Sequence, residues 1–107
     1  MSTHANIGTI QNGELVYIYL HFDGYPSHTL TTLKSHYNSQ ELADQLISMG
    51  DMSVLDNTIE SSIFYARDRG EKKVINKGES NFTNCEYAYI FNNGEWNCSY
   101  EILFSNH

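Results

Sequence analysis

The sequence predicts an α+β domain: an antiparallel β-sheet of about five strands, in the order β-β-α-α-β-β-β, with two helices packed on one face. Three observations predict it. Asn12-Gly13 and Asn93-Gly94 each separate two runs of alternating strand-forming residues, the mark of a two-residue type I′ hairpin. After Pro26 the apolar spacing changes from two to three and four, which is helical. A sheet with one apolar face needs a cover, and amphipathic helices supply one.

The first hairpin pairs a run near Ile7–Ile10 with Leu15–Phe22. With Asn12 and Gly13 as the loop, Ile10 faces Leu15, Gly8 faces Tyr17 and Ile7 faces Ile18. Val16, Ile18, Leu20 and Phe22 then share the core side, and Leu15, Tyr17, Tyr19 and His21 share the other. Leu30, Leu33 and Tyr37 suit a short helix beginning near Ser27 or His28. Ser39 is a good N-cap for a second helix, Gln40 to Met49, with Leu42, Leu46, Ile47 and Met49 as its buried stripe and Gly50 as its C-terminal stop.

Strand formers across residues 60–67 predict a third strand there. Residues 68–80, with two glycines and most of the positive charge, read as an exposed loop. In the last hairpin, Phe91 faces Trp96, Tyr89 faces Cys98 and Tyr87 faces Tyr100, an aromatic ladder on one face. The opposite face, pairing Ile90 with Asn97, Ala88 with Ser99 and Glu86 with Glu101, is expected to be largely wet. That register sets Cys85 beside Ile102, roughly 13 Å along the strands from Cys98 at ~3.3 Å per residue, too far for a disulfide.

At 107 residues the chain fits one domain. Its 40% hydrophobic and 13% aromatic content favours a packed core over disorder. No apolar run approaches a membrane span, and the opening residues lack a basic start and apolar stretch, so a cytoplasmic location is expected. Net charge is −7, yet five of the six basic residues lie in positions 67–77. An acidic body repels nucleic acid, whereas one basic segment can hold an anion. Pairing of those cations with Asp68, Glu71 and Glu79 is the competing explanation.

Several side chains carry candidate chemistry. His21, Asp23, Tyr25 and His28 gather where a strand meets a turn, and loop-facing polar groups are placed for binding. The hairpin register sets His4 opposite His21 with Asp23 two residues on. Two imidazoles and a carboxylate suit zinc or a general base, although no cysteine or histidine pair has ligand spacing. Tyr17 and Tyr19 leave the core in this reading and offer flat contact area for stacking or docking. On a strand, Arg67 and Arg69 alternate with Asp68 and share a face, so that they grip a phosphate or carboxylate together. A structural Arg–Asp network is the alternative. The binding reading requires the guanidinium pair and the tyrosine edge to meet in one recess.

The runs Tyr19-Leu20-His21-Phe22-Asp23-Gly24-Tyr25-Pro26, Gly50-Asp51-Met52-Ser53-Val54-Leu55 and Tyr65-Ala66-Arg67-Asp68-Arg69-Gly70-Glu71, with the closing Glu86-Tyr87 and Phe91 to Trp96, resemble a family of small tailed-phage accessory proteins. Leu20 stands where that family commonly has Cys, and Phe22 where it commonly has Trp. The resemblance implies a viral protein acting inside the infected host, where antagonism of host immunity is the expected role.

Three functions follow as expectations. The first is a non-catalytic, homo-oligomeric binder that sequesters a nucleotide immune signal, with Arg67, Arg69 and Lys72 holding phosphates and Tyr17, Tyr19 or Tyr25 stacking on a base. The second is an acidic nucleic-acid mimic that inhibits a host nuclease or CRISPR-type effector. The third is a small metal-assisted or nucleotide-cleaving enzyme built on His21, Asp23 and His28 with Arg67 and Arg69. The ranked first choice needs no cofactor and no catalytic residue, and its partner is a small anionic nucleotide or a host defence protein.

Overall fold

The computed structural model describes residues 3–78 and 85–98. In chain order they form β1 (Ala5–Gln11), β2 (Glu14–Leu20), α1 (Thr29–His36), α2 (Gln40–Ser48), β3 (Met52–Val54), β4 (Ile63–Phe64), α3 (Tyr65–Arg69), β5 (Asn76–Lys77), β6 (Tyr87–Asn92) and β7 (Glu95–Cys98). The α+β class is as expected. The sheet is larger and mixed, running β4-β3-β2-β1-β6-β7, with β5 paired to β2. Two neighbour pairs are parallel, β1 with β6 and β2 with β3. Their partners come from distant segments with no shared turn, so local sequence carries no trace of them.

Both hairpins take the expected register. Ile10 pairs with Leu15, Gly8 with Tyr17 and Ile7 with Ile18; Phe91 pairs with Trp96, Tyr89 with Cys98 and Ile90 with Asn97. Asn12, Gly13, Asn93 and Gly94 all have positive φ, between 53° and 83°, the requirement of a type I′ turn. The pairings expected for Tyr100, Ser99, Glu101 and Ile102 lie outside the described residues. Both cysteines are free thiols.

The helices cover one face. α2 packs on β1 and β2, and α1 on β7. The Ser39 hydroxyl accepts from the Leu42 amide at 3.1 Å and caps α2, and Gly50 ends it at φ 83°. Leu33, Tyr37, Ala43, Leu46 and Ile47 meet Ile7, Ile18, Leu20, Met52, Phe64, Tyr89, Phe91 and Trp96 in the main core. The Trp96 indole donates to the Tyr37 carbonyl at 2.9 Å, so this buried aromatic ring also carries a satisfied polar atom. Leu42, expected in that core, is exposed, and Ala43 takes its place. Phe22, expected on the core side, lies past the end of β2 and is exposed too.

The opposite face is less open than expected. Leu15, Tyr17 and Ala88 form a second buried cluster there, flanked by Ile10 and Ile90. Tyr17 is only 4% exposed, which corrects the expectation that it leaves the core. The cause is Gly8: it faces Tyr17 across the hairpin, and a Cβ there would meet the Tyr17 Cβ at 2.9 Å. The missing side chain leaves a trough that the phenol occupies. Ala88, expected on a wet face, is buried by the same cluster.

Residues 60–67 differ most from expectation. Only Ile63 and Phe64 extend, and the chain then turns into α3. The Asp68 carboxylate accepts from the Phe64 amide at 2.8 Å, a side chain satisfying an open donor at a helix start. Gly70 closes that helix at φ 68°. Within the stretch read as loop, Asn76 and Lys77 form the short strand beside β2.

Candidate functional site

The sheet registers assemble a transverse row of side chains at one end of the outer face. Ala5 lies opposite Leu20, Ala5 beside Tyr87, and Leu20 beside Met52. One position further on, His4 falls opposite His21 and beside Glu86, while His21 falls beside Ser53. Ala5, Leu20 and Met52 all point into the helix-covered core, so their neighbours point the other way. The row is therefore Ser53, His21, His4, Glu86, one residue from each of four strands or strand entries.

Direct contacts support each step. His21 donates its amide to the Met52 carbonyl at 3.0 Å, and Phe22 to Ser53 at 3.0 Å. His4 Nδ1 donates to the His21 carbonyl at 2.7 Å, with the two imidazole centroids 4.6 Å apart. The His4 amide donates to Glu86 Oε2 at 2.7 Å. Tyr19, two residues before His21 on the same face, sets its hydroxyl 2.8 Å from His21 Nδ1. Its ring lies 5.6 Å from that of His4. Phe22 meets the His21 ring edge-on at 4.5 Å.

A cation closes one end of the row. Arg69 Nη2 reaches the Ser53 hydroxyl at 3.3 Å, and its guanidinium lies 5.2 Å over the Tyr65 ring. Arg67 does not join it. Its guanidinium donates to the carbonyls of Ile59, Glu60 and Ser62 and to both Asp68 oxygens, and it packs over Phe64. On a strand the two arginines would share a face; on α3, at about 100° per residue, they diverge. The Arg–Asp network is thus the arrangement at Arg67 and Asp68. The Arg67 hydrogen bond is the main reason that the Asp68 carboxyl sits below its ordinary range.

Asp51 pins the site together. Its Oδ1 accepts from the Tyr19 amide at 2.9 Å, its carbonyl accepts from the Tyr65 amide at 3.2 Å, and its own amide donates to Val74 at 3.1 Å. Burial raises the Asp51 carboxyl above its usual value, and the Tyr19 bond offsets part of that shift. Burial also raises the Tyr19 phenol, followed by the fields of Cys85, Tyr65, Glu86 and Asp51. The Cys85 thiol is pushed up to about 11, again by burial first and then by Glu86 and Asp51. The Tyr19 phenol and the Cys85 thiol therefore stay protonated at neutral pH, which suits contact rather than nucleophilic attack.

The remaining sequence candidates form a neighbouring group on the turn after β2. Asp23 takes positive φ, at 57°, and its carbonyl accepts from the Thr29 hydroxyl at 2.7 Å. Tyr25 is exposed, 6.2 Å from the His28 ring, and His28 Nε2 donates to the Leu55 carbonyl at 3.0 Å. Gly24 seats this turn against β1: its amide donates to the Thr3 carbonyl at 2.8 Å, and its carbonyl accepts from the Tyr89 hydroxyl at 2.6 Å. Among the described residues, no group of three or more His, Cys, Asp or Glu is arranged to hold a metal ion.

The structure thus brings His21 and Tyr19 together, sets Arg69 on the neighbouring Ser53, buries Tyr17, and turns Arg67 and Asp68 away. Sequence reasoning missed Ser53, Asp51, Tyr65 and Glu86. The acidic and serine positions of Gly50-Asp51-Met52-Ser53 are the signal that was present, but only the parallel pairing of β2 with β3 shows their use. Among the described residues, no helix is long and apolar enough to cross a membrane. No family model matches the chain, and neither a curated protein nor a solved structure matches it.

Proposed function

We propose that this chain is a small phage-type, non-catalytic binding protein that antagonises host defence in the host cytoplasm by sequestering an anionic nucleotide signal. What carries the reading is one juxtaposition. Arg69, bonded at 3.3 Å to Ser53, stands at the end of a row of side chains that carries the clustered rings of His21, His4 and Tyr19. A guanidinium has five N–H groups and binds phosphate through two of them in one plane. The rings beside it offer flat surface for a base. The protonated Cys85 and Tyr19 add no activated nucleophile, which favours holding a ligand over converting it. The resemblance to tailed-phage accessory proteins supplies the host-defence context, and a homo-oligomer built on this body is part of the proposal.

The test is mass spectrometry of small molecules released by heating protein expressed in defence-active cells, followed by thermal shift with what is found. A rise in melting temperature is expected for the released nucleotide. It is lost in Arg69→Ala and retained in Arg67→Ala, once the fold of each variant is confirmed by circular dichroism. Release of no nucleotide, or an undiminished shift in Arg69→Ala, overturns the proposal.

One observation favours a second reading. Phe22 and Tyr25 are both 40% exposed and flank Asp23 on the same turn. An acidic, aromatic tip suits insertion into a basic groove of a host effector. That reading expects co-purification with a host protein that weakens as salt rises.

A further inference from the structure

The polarity of the row narrows the ligand to one chemical class. Strand order across the site is β3, β2, β1, β6, and neighbouring strands lie ~4.8 Å apart. From the Ser53 column, where Arg69 binds, to the Glu86 column is therefore three spacings, about 14 Å. The cation stands at one end of that span. The His21 and His4 rings and the Tyr19 phenol occupy the middle. The Glu86 carboxylate, held at Oε2 by the His4 amide, stands at the other end. Asp51 adds a second carboxylate on the flank of Tyr19.

This is a site for one phosphate group, held by one guanidinium. Had Arg67 stood beside Arg69, two guanidiniums would have faced the ligand and a diphosphate would fit. Arg67 is instead bound to the 59–62 carbonyls and Asp68, so the end group meets a single guanidinium. A second phosphate would extend along the row toward Asp51 and Glu86, where like charges repel. The Glu86 end wants the opposite chemistry, since a carboxylate accepts hydrogen bonds and offers none.

We infer that the site takes a nucleoside monophosphate whose base carries an exocyclic amino group: the phosphate on Arg69 beside Ser53, the base over the His21 and His4 rings, and the amino group donating to Glu86. The inference rests on the nucleotide-binding reading above and specifies it. The row explains the order of the groups, because phosphate, ring and amine follow one another in such a molecule as cation, rings and carboxylate do across the strands.

Isothermal titration of the full chain at fixed salt tests it with three probes: adenosine 5′-monophosphate, its 6-deamino analogue, and ADP-ribose. Adenosine monophosphate is expected to bind most tightly. The deamino analogue should be weaker by about fivefold, the worth of one lost hydrogen bond to a charged group. ADP-ribose should be weaker by about tenfold. Glu86→Gln should bring adenosine monophosphate and its deamino analogue closer together without a change in melting temperature, and Arg69→Ala should abolish binding of all three. ADP-ribose as the tightest ligand, or equal affinity for the two monophosphates, would overturn this inference while leaving nucleotide sequestration intact. Binding of none of the three, with no nucleotide released from the expressed protein, would remove both.

Discussion

Gly24→Ala is the sharpest test of how the turn seats the candidate site. A Cβ on Gly24 would lie 2.8 Å from the Ala5 Cβ, 2.8 Å from the Thr3 carbonyl oxygen and 3.0 Å from the His4 carbonyl carbon. Two of these neighbours are backbone, so no side-chain rotation relieves them. Relief requires the 22–25 turn to lift off the start of β1. That movement stretches the Gly24 to Thr3 bond at 2.8 Å and the Tyr89 to Gly24 bond at 2.6 Å, and it shifts His4 against His21. Overpacking of this kind costs about 1–3 kcal/mol, and a strained buried hydrogen bond adds to it. A loss of about 2–3 kcal/mol corresponds to a fall in melting temperature of about 8–24 °C for a domain near this size. Thermal denaturation followed by circular dichroism measures it. Adding Ala5→Gly should recover only part of the loss, because the Thr3 carbonyl stays in place. A melting temperature within about 1 °C of the parent would refute the close seating of this turn on β1.

Tyr89→Phe removes the buried hydroxyl that donates to the Gly24 carbonyl and should cost about 1–2 kcal/mol in a urea melt; no change would mean that the carbonyl finds another donor. Asp51→Ala leaves the Tyr19 amide without its acceptor and should cost about 1–3 kcal/mol, whereas Asp51→Asn keeps an acceptor oxygen. The Asp51 carboxyl is raised in the folded state, so its contribution is fully present below its unfolded value near 3.8 and is lost as pH rises through the folded value. The neutral amide escapes that loss, and Asp51→Asn should match or exceed the parent's stability at pH 7; equal destabilisation by Asn and Ala would contradict the burial argument. In alkali the same sign applies to Cys85, raised from 9.0 to about 11, and to Tyr19, Tyr37 and Tyr89, raised from 10.0. Stability should therefore decline from pH 9 upward, with thiol alkylation slow until pH nears 11; rapid labelling of Cys85 at pH 8 would show that the thiol is not held neutral.

Sequence made the hairpins legible because Asn-Gly fixes both turn type and register, and from the first register the facing of His4 and His21 follows directly. It made α2 legible through the Ser39 cap and the Gly50 stop. What it hid was every pairing between segments without a shared turn. Glu86 reaches His4 only because β6 runs parallel to β1, and Ser53 reaches His21 only because β3 runs parallel to β2. Residues 60–67 misled for a different reason. Their strand propensity holds for Ile63 and Phe64, after which the Asp68 carboxylate rewards a helical turn. That change of backbone sets Arg69 over the Tyr65 ring and at the Ser53 hydroxyl, and Arg67 over Phe64. Tyr17 was misplaced because its burial depends on the missing side chain of Gly8 across the strand.

The chain has one tryptophan, and it is buried on the helix-covered side, its indole tied to the end of α1. Its fluorescence is therefore an internal gauge of whether the helical layer is seated, shielded by the thickness of the sheet from whatever settles over the histidines. A titrant that alters that emission has loosened the body of the molecule, and one that binds silently by this gauge has occupied the far surface.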